Sequence, residues 1–180
     1  MRSPKDCALT AAIELLGAEG LRALTHGRVD DKAGLPKGST SNYFRTRAAL
    51  LSGVVDEILA RELVSVDAAF GPASPADLVD AMVGLLEHTT VTNRVLTTAR
   101  LVLFMEASHD SSLREALSQG RTAMQSATAS ALARLGARDP QVSAGAIMAC
   151  FEGLILHRIA RHDDSDPRPA LELVVTAALT

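Results

Sequence analysis

Apolar residues recur at helical spacing along most of the chain, and helix-starting and helix-ending residues separate these stretches. The first stretch opens at Ser3-Pro4, a capping hydroxyl followed by proline at the first helical position, and ends at Gly20. The same opening returns at Ser74-Pro75 and at Asp139-Pro140. No segment shows the strict alternation of a half-buried strand. The pattern therefore predicts an all-α fold of about nine helices.

The fourth predicted helix starts near Thr46, is longer than its neighbours and ends at Gly71-Pro72. Its length predicts that it joins an N-terminal part of the chain to the remainder. One apolar stripe follows it, made of Leu51, Val55, Leu59, Leu63, Val66 and Phe70.

Composition is that of a soluble globular protein, with 47% hydrophobic and 22% charged residues in 180. The net charge of −3 hides an asymmetry. Residues 1–50 hold eight basic and five acidic side chains, a net of +3, whereas the remainder holds ten and sixteen, a net of −6. A basic segment on an acidic body is what a protein needs when only its N-terminal part contacts phosphate.

The chain shows no feature of a secreted or membrane protein. It opens without the apolar stretch of a signal peptide, and no run reaches the roughly 20 apolar residues of a membrane span. Cys7 and Cys150 are isolated, as reduced structural thiols are. We therefore predict a cytoplasmic protein without membrane contact.

Residues 25–44 have the pattern of a helix-turn-helix. Thr25 can cap a short helix that ends at Gly34, and Pro36 can open another over residues 36–43. Two helices joined by a short turn containing glycine form this motif, whose second helix enters the DNA major groove.

The second helix of the motif carries almost no apolar side chain before Phe44, so we expect it to present an exposed polar face that can contact a ligand. Hydroxyls and amides there can bond base edges, and nearby cations can bind phosphate. A solvated loop is the alternative reading of the same residues. The candidate DNA-binding residues are Thr25, Arg28, Lys37, Gly38, Ser39, Thr40, Ser41, Asn42, Tyr43 and Arg47.

Residues 5–55 resemble the N-terminal domain of the tetracycline-repressor (TetR) family. The resemblance rests on Gly34-Leu35-Pro36-Lys37-Gly38, followed by the aromatic pair Tyr43-Phe44 and a basic helix start at Arg45. It implies a dimer on a near-palindromic operator, with Thr25, Lys37, Tyr43 and Arg47 on phosphates and residues 38–42 near bases. Two departures, Ser41 where the family often has Tyr and Tyr43 where His is frequent, put the operator sequence in doubt.

The eighth predicted helix is apolar on almost every side over residues 142–156, so we expect a partner subunit to cover it. The ninth carries a second apolar stripe, and in the resembling family these two helices form a four-helix dimer bundle. The candidate dimer-interface residues are Ile147, Leu154, Ile155, Arg158, Leu171, Val174 and Ala178.

The sixth helix is nearly all apolar around Arg100, which predicts either a ligand-binding arginine or one paired with Glu87 or Glu106. Plain core packing is the alternative for the neighbouring apolar candidates. The candidate ligand-binding residues are Met82, Leu86, Arg100, Phe104, Met124 and Phe151.

These observations predict a helix-turn-helix domain over residues 1–47 and a helical ligand-sensing and dimerisation domain over residues 48–180. The predicted function is that of a ligand-responsive regulator, a repressor by family default, released from an operator by a small lipophilic molecule. A regulator without an effector and a helical dimer acting through protein partners stay open as alternatives. We find no catalytic motif and no metal-ligand spacing among His88, His109 and His157, so no enzyme activity, cofactor or metal is predicted.

Overall fold

A computed structural model describes residues 2–69 and 71–180, and only the backbone of residues 63–69. Over these residues the chain forms nine α-helices and no strand, which confirms the predicted all-α fold. The helices are α1 (Pro4–Glu19), α2 (His26–Ala33), α3 (Ser39–Tyr43), α4 (Arg47–Ala69), α5 (Pro75–Glu87), α6 (Arg94–Glu106), α7 (Ser111–Arg134), α8 (Pro140–Ala160) and α9 (Arg168–Leu179). A 3-10 turn, Leu21–Ala23, precedes α2, and a π-helical turn, His88–Thr92, connects α5 to α6.

Capping side chains set the helix starts as the sequence predicted. The hydroxyls of Ser3, Thr25 and Ser74 each accept a hydrogen bond from the backbone N–H three residues later, at 3.2, 3.4 and 3.1 Å. The Asp139 carboxylate does the same for α8 at 3.2 Å. These bonds satisfy amides that have no partner inside the helix.

The third helix is shorter than predicted. It begins at Ser39 and not at Pro36, because Gly38 has a φ of +89°, a left-handed conformation that cannot continue a helix. Residues 36–38 therefore belong to the turn, which Gly34, also left-handed at φ +65°, begins after α2.

The chain divides into two compact units, Met1–Arg61 with Val95–Ser118, and Glu62–Arg94 with Gln119–Thr180. The first unit has one apolar core to which α1, α2, α4, α6 and the start of α7 contribute. Leu103 and Ala99 of α6 are fully buried in it, so this core needs residues far from the N-terminal segment. The functional boundary predicted at residue 47 stays a prediction.

The apolar stripe of α4 is confirmed where its side chains are described. Leu51 and Val55 are buried in the core of the first unit, and Leu59 packs against it. Leu63, Val66 and Phe70 lie outside the residues whose side chains the structure describes.

The second unit has its own core, built from α5, α7, α8 and α9. Leu78, Leu132 and Leu171 are its most buried large side chains. Two ion pairs tie α5 to the last two helices, Arg158 with Glu87 at 3.1 Å and Arg168 with Asp80 at 2.7 Å. All four of these side chains keep some contact with solvent, so the pairs orient the helices more than they stabilise them.

Candidate functional site

The helices α2 and α3 and the turn between them form the helix-turn-helix arrangement. Gly34 closes α2, and its N–H bonds back to the carbonyls of Asp30 and Asp31. Leu24 and Val29, at the two ends of the first turn of α2, are fully buried and anchor the motif in the core of the first unit.

A buried carboxylate joins α2 to α3. Asp30 is 1% exposed, and its oxygens accept hydrogen bonds from the Gly38 N–H at 2.7 Å, the Thr40 N–H at 2.8 Å and the Thr40 hydroxyl. Burial raises the pKa of Asp30, but the hydrogen bonds from Thr40 and Gly38 outweigh it, so this pKa lies below its ordinary value. The carboxylate is thus held in its charged form at neutral pH.

A second side chain of α2 reaches the other end of α3. The His26 Nε2 lies 2.6 Å from the carbonyl oxygen of Phe44, the residue that ends α3. Because a carbonyl only accepts, Nε2 carries the hydrogen in this bond.

Most of the predicted DNA-binding side chains are exposed on and around α3. Ser41 and Asn42 lie on the exposed part of α3, and Tyr43 is 47% exposed. Ser39 is half-buried, with its hydroxyl donating to the Pro36 carbonyl. The other exposed members of the predicted set are Thr25, Arg28, Lys37, Gly38 and Arg47.

Thr40 is the exception, and the expectation that it contacts a base is corrected. Its side chain is fully buried, and its hydroxyl donates to Asp30. A side chain without exposed surface cannot contact a base, so Thr40 serves the packing of α3.

Two of the predicted cations are engaged within the first unit. Arg28 makes two 2.8 Å hydrogen bonds to the Glu19 carboxylate, which neutralises its charge locally. The Arg47 guanidinium donates to the Leu21 carbonyl at 2.9 Å, which positions it beside the 3-10 turn that precedes α2. Lys37 and Arg45 are exposed and enter no ion pair that the described residues show.

The six candidate ligand-binding residues divide between the two units. In the second unit, Met82 and Leu86 are buried, whereas Met124 and Phe151 are half-buried. In the first unit, Arg100 is 8% exposed and its guanidinium lies 5.4 Å from the centre of the Phe104 ring, a cation–π contact. Glu87, one of the two pairing partners considered for Arg100, forms an ion pair with Arg158.

Part of the predicted dimer interface is wrong. Ile147, Ile155 and Leu171 are at most 2% exposed in the single chain, so their side chains are covered without a partner. The half-buried members of the set, Leu154, Val174 and Ala178, pack against the core of the second unit, and Arg158 is paired with Glu87.

The opposite sides of α8 and α9 are apolar and exposed. Val142 is 69% exposed, Leu156 46% and Leu173 74%, and smaller apolar residues accompany them at helical spacing. We call this set the outer face: Val142, Ala146, Ala149, Leu156 and Ala160 of α8, with Ala170, Leu173 and Ala177 of α9. By length and composition alone α8 could cross a membrane, the one such helix among the described residues. Its apolar character has another explanation, since one side packs in the core and the other forms the outer face.

Sequence reasoning missed Asp30 and His26. A signal for Asp30 was present, because an acid in the last turn of a helix opposes the helix dipole and needs another reason to be there. His26 gave no comparable signal, since its partner is a backbone carbonyl eighteen residues away.

Comparison with known proteins identifies the family of the chain. Residues 73–180 match the family model described as the C-terminal domain of tetracyclin repressor-like proteins. No curated protein sequence is significantly similar to the chain.

Solved structures agree with this fold over nearly the whole chain. A transcriptional regulator from Rhodococcus sp. Rha1 has a TM-score of 0.87 at 17% identity, covering 98% of this chain and 96% of that one. A TetR-family member from Streptomyces coelicolor A3 has a TM-score of 0.81 at 20% identity, covering 99% of both chains. The multidrug binding protein EbrR complexed with ethidium has a TM-score of 0.79 at 22% identity, again covering 99% of both. The matched C-terminal domain and the predicted N-terminal motif lead to one conclusion: the chain belongs to the TetR family of transcriptional regulators.

Proposed function

We propose that this regulator binds double-stranded operator DNA through α3 and represses transcription there. The observation that carries the proposal is the exposed polar surface of α3, Ser41, Asn42 and Tyr43, on a helix-turn-helix whose Leu24, Val29 and Phe44 are buried. In a single chain these polar groups bond only to water, whereas in a major groove the amide and hydroxyls can bond base edges.

Side chains around α3 divide into two proposed roles. Lys37, Thr25, Tyr43 and Arg47 contact phosphates and fix the orientation of the domain, since such contacts position without reading sequence. The exposed residues among 38–42 then face the bases, with Asn42 best suited to bond adenine through both amide atoms.

The functional unit is proposed to be a homodimer formed through the outer face. Three large apolar side chains that are about half exposed or more need a cover, and a two-fold axis lets the same face of a second copy supply it. A two-fold dimer presents two copies of α3, which suits a palindromic operator with half-sites roughly 34 Å apart.

The second unit is proposed to bind a small lipophilic effector that releases the operator. Support comes from Met82, Leu86, Met124 and Phe151, which supply apolar surface, and from EbrR, a multidrug binding protein of similar fold. Arg100 lies in the first unit and is not part of this proposed site. An effector acts only through different affinities for the DNA-binding and released states.

Three further parts of the proposal concern the location of the protein, its lack of enzymatic activity and the extent of its DNA-binding segment. The protein acts in the cytoplasm, without enzymatic activity, and its DNA-binding segment is residues 1–47. Regulation without an effector, or through protein partners, would be the conclusion if the effector or the DNA step failed.

The experiment is duplex binding by fluorescence anisotropy over a salt series, with a mixed-sequence duplex as the probe. Phosphate contacts make the logarithm of affinity fall linearly with the logarithm of salt concentration. We expect a steep salt dependence for the wild type. Lys37→Ala should reduce the magnitude of that slope by about one per subunit, since one phosphate contact is lost, and Arg138→Ala should leave the slope unchanged. Arg138 is an exposed cation of the second unit and serves as the matched control. Absence of binding at low salt, or equal slopes for both variants, would contradict the proposal.

A further inference from the structure

The recognition helix α3 is held almost entirely by polar contacts. It has five residues, far below the length at which an isolated helix is stable in water. Thr40 is its one buried residue, so α3 contributes no buried apolar side chain to the core. Besides the buried Phe44 that follows it, the direction of α3 is therefore set by hydrogen bonds.

We propose that His26 and Asp30 are positioning residues that hold the two ends of α3 and set its orientation on DNA. The two side chains are four residues apart on α2 and therefore lie one turn apart on the same face. The inference deepens the proposed function and rests on it, since orientation matters only if α3 contacts DNA.

Asp30 acts at the N-terminal end of α3 as a cap supplied by another helix. Gly38 occupies the capping position and has no side chain, so α3 has no cap of its own. The Asp30 carboxylate takes that role by accepting from the Gly38 and Thr40 amides and from the Thr40 hydroxyl. Its negative charge also lies at the positive end of the helix dipole.

His26 acts at the C-terminal end. Its Nε2–H donates to the Phe44 carbonyl at 2.6 Å, one of the carbonyls that a helix end leaves without an internal partner. Phe44 itself is 6% exposed in the core of the first unit, so the bond joins α3, α2 and the core. With both ends fixed, Ser41 and Asn42 keep one direction in space.

The test compares two acids that are neighbours on α2. Asp30→Asn removes a charge and places an amide donor against backbone donors, whereas Asp31→Asn removes the same charge from an exposed side chain. Losing a negative charge near DNA should by itself strengthen binding, so the two variants are expected to move in opposite directions. Measured by anisotropy on a duplex that the wild type selects from a random pool, Asp30→Asn should lose about tenfold or more in affinity, the scale of one hydrogen bond to a charged group. Asp31→Asn should bind as tightly as the wild type or more tightly.

A second measurement separates positioning from general unfolding. Amide hydrogen exchange by NMR should become about tenfold faster at Gly38 and Thr40 in Asp30→Asn, while the amides of Val54 and Val55 in α4 keep their wild-type rates. The salt slope of duplex binding should stay unchanged, because the phosphate contacts remain. Equal acceleration at all four amides would overturn the inference, since Asp30 would then serve stability alone.

Thr40 and His26 supply conservative pairs in case Asp30→Asn fails to fold. Thr40→Val replaces the hydroxyl with a methyl group and should weaken operator binding, whereas Thr40→Ser keeps the hydroxyl and should retain that binding. His26→Gln keeps a donor for the Phe44 carbonyl and should bind better than His26→Leu.

The outcomes keep the two proposals apart. Wild-type-like affinity in Asp30→Asn and Thr40→Val would overturn the inference and leave DNA binding intact. A wild type that binds no duplex would overturn the proposed function. In that case unchanged exchange at Gly38 and Thr40 in Asp30→Asn would overturn the capping of α3 as well, and faster exchange would support it.

Discussion

Gly17 lies inside α1 at a point where the backbone of α6 comes very close. A Cβ atom built on Gly17 would overlap the carbonyl oxygen of Val95 and lie 2.9 Å from its carbonyl carbon. Ordinary contacts of a Cβ begin at 3.4 Å, so Gly17→Ala forces the two helices of the first unit apart. The obstacle is backbone, which cannot rotate away as a flexible side chain does.

Two opposing effects decide the sign of this substitution. Alanine in place of glycine inside a helix is favourable by about 1 kcal/mol. Overpacking a closely packed site costs about 1–3 kcal/mol, and an overlap with the backbone of Val95 belongs at the upper end. We therefore expect Gly17→Ala to lower the free energy of unfolding by about 2 kcal/mol, which for a chain of this size corresponds to a Tm about 4–8 °C lower.

Gly84 provides the matched control, because it lies in α5 with no atom within 4 Å of its added Cβ. Gly84→Ala should raise the free energy of unfolding by about 0.5–1 kcal/mol, since only the gain in helix propensity remains. Urea unfolding followed by circular dichroism, at one protein concentration for all variants, measures both changes. A Gly17→Ala variant as stable as Gly84→Ala would refute the close approach of α1 and α6.

Three further predictions concern the outer face, the first core and the buried acid. Leu156→Glu should convert the proposed dimer to monomer in light scattering, because an unpaired buried charge costs several kcal/mol, whereas Ala133→Glu at an exposed position of α7 should leave that dimer intact. Leu103→Ala should cost about 2–5 kcal/mol in urea unfolding, and a loss below about 1 kcal/mol would place α6 outside the core. Because the pKa of Asp30 is lower in the folded state than its ordinary value of 3.8, its contribution is complete above about pH 5 and is lost as the pH falls through the folded value. The wild type should therefore lose more stability than Asp30→Asn between about pH 5 and pH 3, and parallel losses would contradict this sign.

Helix boundaries were predictable because capping is local chemistry. Three helix starts are predicted by a capping side chain followed by proline, at Ser3, Ser74 and Asp139. The third helix was mispredicted because Pro36 suits a first helical position as well as a turn, and Gly38, two residues later, decides for the turn. The conformational preference of each residue taken alone does not show whether Pro36 or Gly38 determines the start of the helix.

The burial of polar residues could not be predicted from the hydrophobic pattern of the sequence. Thr40 looks like an exposed hydroxyl in the sequence, and only its contact with Asp30, ten residues earlier, makes it a core residue. The two sides of α8 posed a similar problem, since a helix apolar all round does not reveal which side its own chain covers. Ile147 and Ile155 face the core, whereas Val142 and Leu156 are left for the outer face.

The central claim, sequence-specific DNA binding by a symmetric dimer, is tested most directly by selecting bound duplexes from a random-sequence pool. We predict one near-palindromic consensus whose half-site centres are roughly 34 Å apart, or a multiple of that spacing, along the duplex. Enrichment of no sequence, or of a consensus without two-fold symmetry, would contradict it.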